Sequence, residues 1–450
     1  MNIIIVGSGA VGSAICFQLV KEGHDVTVID SNADCLAELS NNCDVTCIMG
    51  NGADVNLLRS AGAENADLII AVAALDEINM LCCYAAKKLG TTYTVARIRN
   101  PEYNPLMHLM KSDMNLSLTI NPEYATAKEI ARTLKFLGAT KVNTFCDGLV
   151  EMAEFTLTKD SPLCDLSLLD IREKLNTRLL VCGVLRGGKA YIPSGNFVLR
   201  EGDSVCVTSS EEELVKFFKL LSGKRRKAKN IIITGAGRIT YYLAKLLGKS
   251  LANTTIIEND LSLCEELSTE YNISVIHGDT TDQELLLEEG IESCGAFLAL
   301  SGVDEENAIV SMYAKKMGVP KVITRISSLP YIDFFRDVGL NSIVSPKSST
   351  VDYILRFVRG MADVQDSEIE SLHTVLEGNI EALEFIIKER IDGLTEIPIS
   401  KIKRIPNSLI ACIMRNEEII IPSGNDEIKT GDRVIVLVTG SINNIKDILK

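Results

Sequence analysis

Apolar residues in this chain fall into short runs separated by amphipathic stretches of helical spacing. Residues 2–6 (NIIIV) form the first run and lead into a glycine-rich loop. The stretch that follows carries Ala14, Ile15, Leu19 and Val20 at helical spacing. Residues 24–30 (HDVTVID) predict a second strand that ends on an acid; 45–49, 68–73 and 94–98 predict three more. Helices are expected over 35–42, from 57 onward and over 79–89. Strands alternating with helices in this way predict an α/β fold with a doubly wound parallel sheet. After Pro122 the pattern changes. A helix is expected over 128–137, then period-two strands at 149–157, 179–185 and 205–208, then an amphipathic helix over 211–221. This part reads as a small α+β module.

The whole pattern then repeats. Residues 230–234, 254–258, 274–276, 296–300 and 322–326 copy the five strands, and 372–387, 408–414 and 433–439 copy the small module before a closing helix around 442–449. Gly7 and Gly235 lie 228 positions apart, as do Asp30 and Glu258, Gly50 and Gly278, Asp76 and Asp304, Asn79 and Asn307, and Arg97 and Arg325. Pro193 and Pro422 lie 229 apart, as do Gly202-Asp203 and Gly431-Asp432. Chance does not hold one offset over so many landmarks, so the chain is a tandem duplication. The expected domains are 1–138, 139–222, 229–365 and 366–450, each near the usual domain size.

The loop GSGAVG, Gly7 to Gly12, follows a strand and precedes a helix, and Asp30 ends the next strand. That is the dinucleotide fingerprint of a Rossmann sheet in its required context. Gly7 makes the tight turn, Gly9 lets backbone amides approach a pyrophosphate at the helix N-terminus, and Gly12 lets helix and strand pack closely. Asp30 would accept from ribose hydroxyls and repel a 2′-phosphate, which favours NAD or another adenosine nucleotide over NADP. The second loop, GAGRIT, keeps Gly235 and Gly237 and is followed by Glu258, but departs at two positions. Thr240 replaces the third glycine and should push helix and strand apart. Arg238 takes the place of Ala10, beside Ile239, where it would either clamp a phosphate or fill the site. Asn51 and Asp279 follow the third strands and face the pocket mouth, Ala73-Ala74 and Ser301 follow the fourth, and Arg97 and Arg325 end the fifth. Asp76 and Asp304 open helices, where capping of the helix dipole is their simplest role.

Bulk properties narrow the function. No apolar run reaches the roughly 18 residues of a spanning helix. The start lacks a basic leader region and reads directly as a strand. The thirteen cysteines sit mostly in apolar strings, as reduced thiols of a cytosolic protein do. A net charge of −14 argues against nucleic acid as a partner. The one basic run, KRRKAK at 224–229, reads as a solvated linker, with lipid headgroups or a membrane protein as the sharper alternative.

A dehydrogenase needs a proton donor or acceptor beside the nicotinamide. His24 and His277 lie at strand edges of the Rossmann scaffold, His108 and His373 are isolated with no acid–base partner nearby, and no catalytic or metal-ligating constellation is visible. Nucleotide pockets without catalytic apparatus point to a ligand sensor. An NAD-dependent oxidoreductase stays as the alternative, and a redox-sensing repressor as a weaker one.

The order GxGxxG, strand-end acid, GNGAD or GDTTD, DExN, ARIRNPEY, then SPL, R, IPSG and EGD resembles the RCK (KTN) family of regulators of potassium conductance. Two copies in one chain resemble the peripheral nucleotide-binding subunits of bacterial Trk-type potassium uptake. The resemblance implies tandem Rossmann-like sheets, each followed by a small α+β domain. It implies binding of NAD(H) and of ATP or ADP, and carries the first site onto Gly7, Ser8, Gly9, Ala10, Val11, Asp30, Ala73, Ala74 and Arg97. It further implies self-association, expected as a tetramer, on the cytoplasmic face of the membrane through a membrane-embedded Trk-type potassium channel subunit. RISSLPY in the second copy, where the first has RIRNPEY, sets the second pocket edge apart.

Overall fold

A computed structural model describes the chain apart from residues 104–115, 137, 176–178, 222–229, 249–252, 272, 363–368, 441, 443 and 450. The basic run 224–229 and His108 lie outside the described residues.

The first copy builds β1 (Asn2–Val6), α1 (Ala10–Lys21), β2 (Asp25–Asp30), α2 (Ala33–Asn42), β3 (Thr46–Met49), α3 (Val55–Ser60), β4 (Leu68–Ala71), α4 (Asp76–Leu89), β5 (Tyr93–Arg97), β6 (Leu118–Ile120) and α5 (Pro122–Lys135). Its six strands pair in the order β3-β2-β1-β4-β5-β6, all parallel. The continuous apolar strands follow from burial on both faces. Ile3 and Ile5 enter one core with Ile15, Leu19, Leu36 and Leu39, while Ile4 and Val6 enter the opposite core with Leu58, Met80 and Cys83. The short edge strand β6 was not foreseen; three residues do not reveal a period.

The small module adds β7 (Lys141–Phe145), β8 (Val150–Thr156), α6 (Leu168–Leu175), β9 (Leu180–Arg186), β10 (Lys189–Tyr191), β11 (Ser204–Ser209) and α7 (Glu211–Leu221). The second copy follows with β12 (Ile231–Thr234), α8 (Arg238–Leu247), β13 (Thr254–Glu258), α9 (Leu261–Glu270), β14 (Ser274–His277), α10 (Gln283–Glu288), β15 (Ala296–Ala299), α11 (Asp304–Lys316), β16 (Lys321–Arg325), α12 (Ile332–Asp337), β17 (Ile343–Val344) and α13 (Pro346–Ala362). It closes with β18 (Ile369–Val375), β19 (Ile380–Ile386), β20 (Ser408–Arg415), β21 (Glu418–Ile420) and β22 (Arg433–Val438). The second parallel sheet, β14-β13-β12-β15-β16-β17, repeats the first, and both small sheets are five-stranded with matching order.

The chain divides into two compact units that do not follow the halves of the sequence. One holds Met1–Thr126 with Ser345–Ala362; the other holds Ala127–Val344 with Asp363–Lys450. In the first unit, α13 from the second copy packs on the first sheet: Ile354 and Val358 join the core of Ile3 and Ile15, and Arg359 binds Glu22 at 2.6 and 3.2 Å. In the second unit, Ala127 and Ile130 of α5 join Ile239, Tyr242 and Leu243 of α8. The helices that follow the two parallel sheets are thus exchanged.

Also in the second unit, the two small sheets share a core. Phe145, Met152, Cys182 and Cys206 of one meet Val375, Ile380, Cys412 and Leu437 of the other. The stretch 372–387 proves to be parts of two strands, broken at Leu376 and Glu377, whose φ values are 51° and 60°. The closing helix expected around 442–449 is a single 3₁₀ turn, Ile445–Ile448, buried under the last sheet and too short for an α-helix. The two small sheets repeat one ion pair on a buried aspartate: Arg186 grips Asp203 with two hydrogen bonds of 2.7 Å, and Arg415 grips Asp432 at 2.8 and 2.7 Å. The Gly-Asp repeat seen in the sequence is this pair.

Candidate functional site

At the C-terminal edge of the first sheet, β1 passes through Gly7 into α1. Gly7 has φ 104°, and a Cβ there would lie 2.8 Å from the Ala73 nitrogen, so only glycine fits the turn. A Cβ on Gly12 would lie 1.8 Å from the Gly7 carbonyl oxygen. Gly9 differs: a Cβ there would meet nothing within 4 Å. Gly9 is the N-cap of α1, no side chain caps the helix, and no acid stands in its first turn. Ala10 is exposed and Val11 buried. The first N–H groups of α1 therefore face open space with the positive end of the helix dipole behind them.

Asp30 closes the other side. Its Oδ2 accepts from the Ser8 N–H at 2.6 Å and the Ser8 hydroxyl at 2.9 Å, and its Oδ1 from the Asn32 N–H at 2.8 Å. Burial pushes this carboxyl up, but these donors outweigh burial and hold it below the usual carboxylate range. The donors, the acid and the open cradle fit the phosphates and ribose of an adenosine nucleotide.

The mouth of the pocket is set by a buried asparagine. Asn79 Oδ1 accepts from the Ala73 N–H at 2.8 Å, and its Nδ2 donates to the carbonyls of Ala73 at 3.0 Å and Arg97 at 2.9 Å. Arg97 Nη2 also donates to the Ala73 carbonyl at 2.9 Å, and its buried Nε has no hydrogen-bond partner among the described residues. Asp76 accepts from the N–H groups of Arg99 and Asn100 at 2.7 and 2.8 Å, tying α4 to the segment after β5. In the sequence Asp76 reads as a helix-opening acid at a repeated position, and the signal for the bracket is the offset that Asp76, Asn79 and Arg97 share with their counterparts. Ala74 is exposed beside this bracket. Asn51 is exposed and accepts from the Ala53 N–H in the turn before α3.

The second copy keeps the frame. Gly235 turns with φ 96° against Ser301, and Gly237 leaves the same open space. Asn307 bonds Ser301 and the Arg325 carbonyl as Asn79 does its partners, and Asp304 accepts from Ser327 and Ser328. Asp279 takes up the Thr281 hydroxyl and N–H in a local turn. Three details differ. Glu258 is buried and accepts from Ala236, Asn259 and Asp260 N–H groups at 2.7, 2.8 and 2.9 Å, whereas Asp30 is half-exposed. Thr240 Oγ1 donates to the Gly235 carbonyl at 2.6 Å, turning the contact that forbids a side chain at Gly12 into a hydrogen bond. Arg238 stands exposed as the first residue of α8, with Ile239 buried behind it.

Of the described histidines, His277 pairs in register with Glu258 on the neighbouring strand, while His24 and His373 lie elsewhere. His24 Nδ1 faces the terminal amine at 3.5 Å, His277 Nε2 faces the Asn259 carbonyl at 3.0 Å, and His373 packs edge-on against Phe145. Among the described residues there is no cluster suited to a metal ion, and no helix is long and apolar enough to cross a membrane.

Comparison with known proteins speaks to the family and the fold. The TrkA-N domain family matches residues 3–118 and 231–346, and the TrkA-C domain family matches residues 152–222. The Trk system potassium uptake protein TrkA homolog of Archaeoglobus fulgidus is 32% identical over 455 residues, covering 100% of both chains. Among solved structures, the GsuK channel bound to NAD superposes with a TM-score of 0.63 at 18% identity, covering 97% of this chain and 76% of that one. GsuK bound to ADP gives a TM-score of 0.50 at 15% identity, covering 80% and 69%. At these identities the structural likeness speaks to the fold.

Proposed function

The chain belongs to the TrkA family, and on that premise we propose that it is a nucleotide-sensing regulatory subunit that gates a membrane potassium uptake channel. Its role is regulatory rather than catalytic. The observation that carries the reading is the open cradle at Gly9, where the uncapped N-terminus of α1 faces Asp30. The names of its relatives place them in Trk potassium uptake, and a protein of this fold is described bound to NAD and to ADP.

In the first pocket, amides of the Gly7–Gly12 loop would receive the phosphates and Asp30 the ribose, with Ser8, Ala10 and Val11 lining the helix start. Ala73 and Ala74 would meet the adenosine edge, and Arg97 the phosphate side. The second pocket would use Gly235, Gly237, Arg238, Ile239 and Glu258, with Asp279 and Ser301 at its mouth; Asn51 takes the Asp279 position in the first. The ligands are NAD(H) and ATP or ADP. A nucleotide shifts such a protein only by binding two conformations unequally, with a coupling of about 1–3 kcal/mol per site. Several coupled sites then switch a pore decisively. The proposed assembly is a tetramer, held at the inner face of the cell membrane by a Trk-type channel subunit.

The test is potassium uptake in a deletion strain complemented with wild type or with Gly9→Val. Wild type should restore nucleotide-controlled uptake and the variant should not. Uptake that is the same in the deletion strain and both complemented strains would overturn the reading.

A further inference from the structure

We infer a separate anion site in the second unit, built around Lys321 in the cleft between the first small sheet and the second parallel sheet, that takes a small phosphate-bearing molecule. The cleft has a volume of about 580 Å³, within the roughly 300–1,000 Å³ of small-molecule sites.

Lys321 opens β16 and is 3% exposed. Its Nζ donates to the Ala139 carbonyl and, at 3.1 Å, to the Ser342 hydroxyl. An ammonium has three donors, so one is left for a ligand. Ser342 Oγ, having accepted from Lys321, has its own proton to give. Lys315 lines the same cleft and donates to the Gly339 carbonyl. Among the described residues no carboxylate lies within ion-pair distance of either ammonium. Asp160 also lines the cleft but is exposed. Burial alone pulls Lys321 down to about 7 and lowers Lys315.

Carrying an uncompensated ammonium inside a protein is costly, and an incoming oxyanion would remove most of that cost. The hydroxyl of Thr158 and the apolar walls of Phe155 and Leu340 suit a phosphate ester with an organic body. The first copy lacks the device. Tyr93 takes the place of Lys321 at the 228-residue offset and packs edge-on against Phe357 at 6.5 Å. The buried charge is thus peculiar to one copy rather than a demand of the fold.

The test titrates the full chain by calorimetry with inorganic phosphate and with glucose 6-phosphate, on a Gly9→Val, Gly237→Val background that removes the glycine-loop cradles. Saturable binding is expected. Lys321→Met should weaken it about tenfold or more, since a charge-assisted hydrogen bond is lost. Binding at pH 8 should take up protons, read as a heat that varies with the ionisation enthalpy of the buffer, and Lys321→Met should abolish that uptake. Tighter binding of the ester identifies an organic phosphate as the ligand; equal or tighter binding of inorganic phosphate identifies the free ion. Lys321→Met replaces a buried charge with an apolar chain and should melt at or above the unsubstituted protein. Lys315→Gln, on the more exposed lysine, should weaken binding independently. Absence of saturable binding by either ligand, or equal affinity with and without Lys321, overturns the proposal.

Discussion

Glu154 in β8 and Glu384 in β19 reach across the shared core of the small sheets, each accepting a backbone N–H from the other's turn. Leu376 donates to Glu154 at 3.1 Å and Cys146 donates to Glu384 at 3.1 Å. Both turn residues are left-handed, with φ of 51° and 52°. The exchange is symmetric in geometry but not in charge. Glu384 is paired with Arg433 and takes a second bond from the Ser371 hydroxyl. Glu154 has no such arginine, because Ser204 stands where the second copy has Arg433, and its Oε1 has no hydrogen-bond partner among the described residues.

This asymmetry predicts opposite outcomes for one substitution. Glu384→Gln breaks the pair with Arg433 and should cost about 2–4 kcal/mol, slightly below the range for fully buried pairs because Asp147 still holds Arg433. Glu154→Gln keeps an acceptor for Leu376 and should be neutral or stabilising at pH 7. Burial pushes the Glu154 carboxyl above 4.5, so the folded chain holds this proton more tightly than the unfolded one. Its contribution to stability is present below pH 4.5 and is lost as pH rises through the higher folded value. Urea unfolding at a series of pH values should show that decline flattened in Glu154→Gln; an equal loss of stability in both variants would contradict the asymmetry.

The two loops predict a second contrast. Gly12→Ala drives a Cβ into the Gly7 carbonyl, 1.8 Å away, and should cost about 1–3 kcal/mol because only backbone movement relieves it. Thr240→Gly loses one hydrogen bond and some helix propensity, about 1–2 kcal/mol, with no clash. Melting temperatures and nucleotide affinity, measured together, should show affinity falling in Gly12→Ala and holding in Thr240→Gly.

Gly9→Val should fold like wild type, since the added side chain meets no protein atom near its Cβ. It should nevertheless lose NADH and ATP at the first pocket by about a hundredfold, because it takes the phosphates' place and covers the helix N–H groups. Calorimetry at unchanged melting temperature is the measurement, and unchanged affinity would refute the assignment.

Asn79→Ala removes three hydrogen bonds at a fully buried position and leaves the Ala73 and Arg97 backbone groups without them. A loss of about 2–4 kcal/mol is expected, with weaker nucleotide binding because the pocket mouth loosens. Asn307→Ala should behave alike, since the bracket is repeated. Hydrogen exchange of the Ala73 and Ser301 amides would locate the effect.

Lys321 gives a prediction in the alkaline range. Its folded value of about 7 lies below the unfolded value of 10.5, so the unfolded chain binds more protons between them. Stability should rise with pH from about 7 toward 10.5, and Lys321→Met should remove that rise.

Much of the fold was legible in the chain itself. The offset of 228 residues established two copies, and apolar runs placed the strands because a parallel strand buried on both faces must be apolar throughout. The glycine loop and Asp30 were readable for a local reason: a tight turn at positive φ, an open helix N-terminus and a strand-end acid are written in neighbouring residues. Short elements were not readable. β6 and β17 are too brief to show a period, and the last 3₁₀ turn has the composition of a helix without its length.

Other features were decided only by contacts distant in sequence. The amphipathic faces of α5 and α13 announce that each helix is buried, but a hydrophobic stripe is non-directional and does not name its partner. Only tertiary packing sends α13 to the first sheet and sets α5 from Ala127 onward against the second. The same holds for Glu154 and Glu384, whose acceptors serve turns more than 200 residues away, and for Asp76, whose partners lie beyond β5. Lys321 looks like any surface lysine in the sequence. Its lack of a counter-charge among the described residues is a property of the elements that close over it, which a linear pattern does not contain.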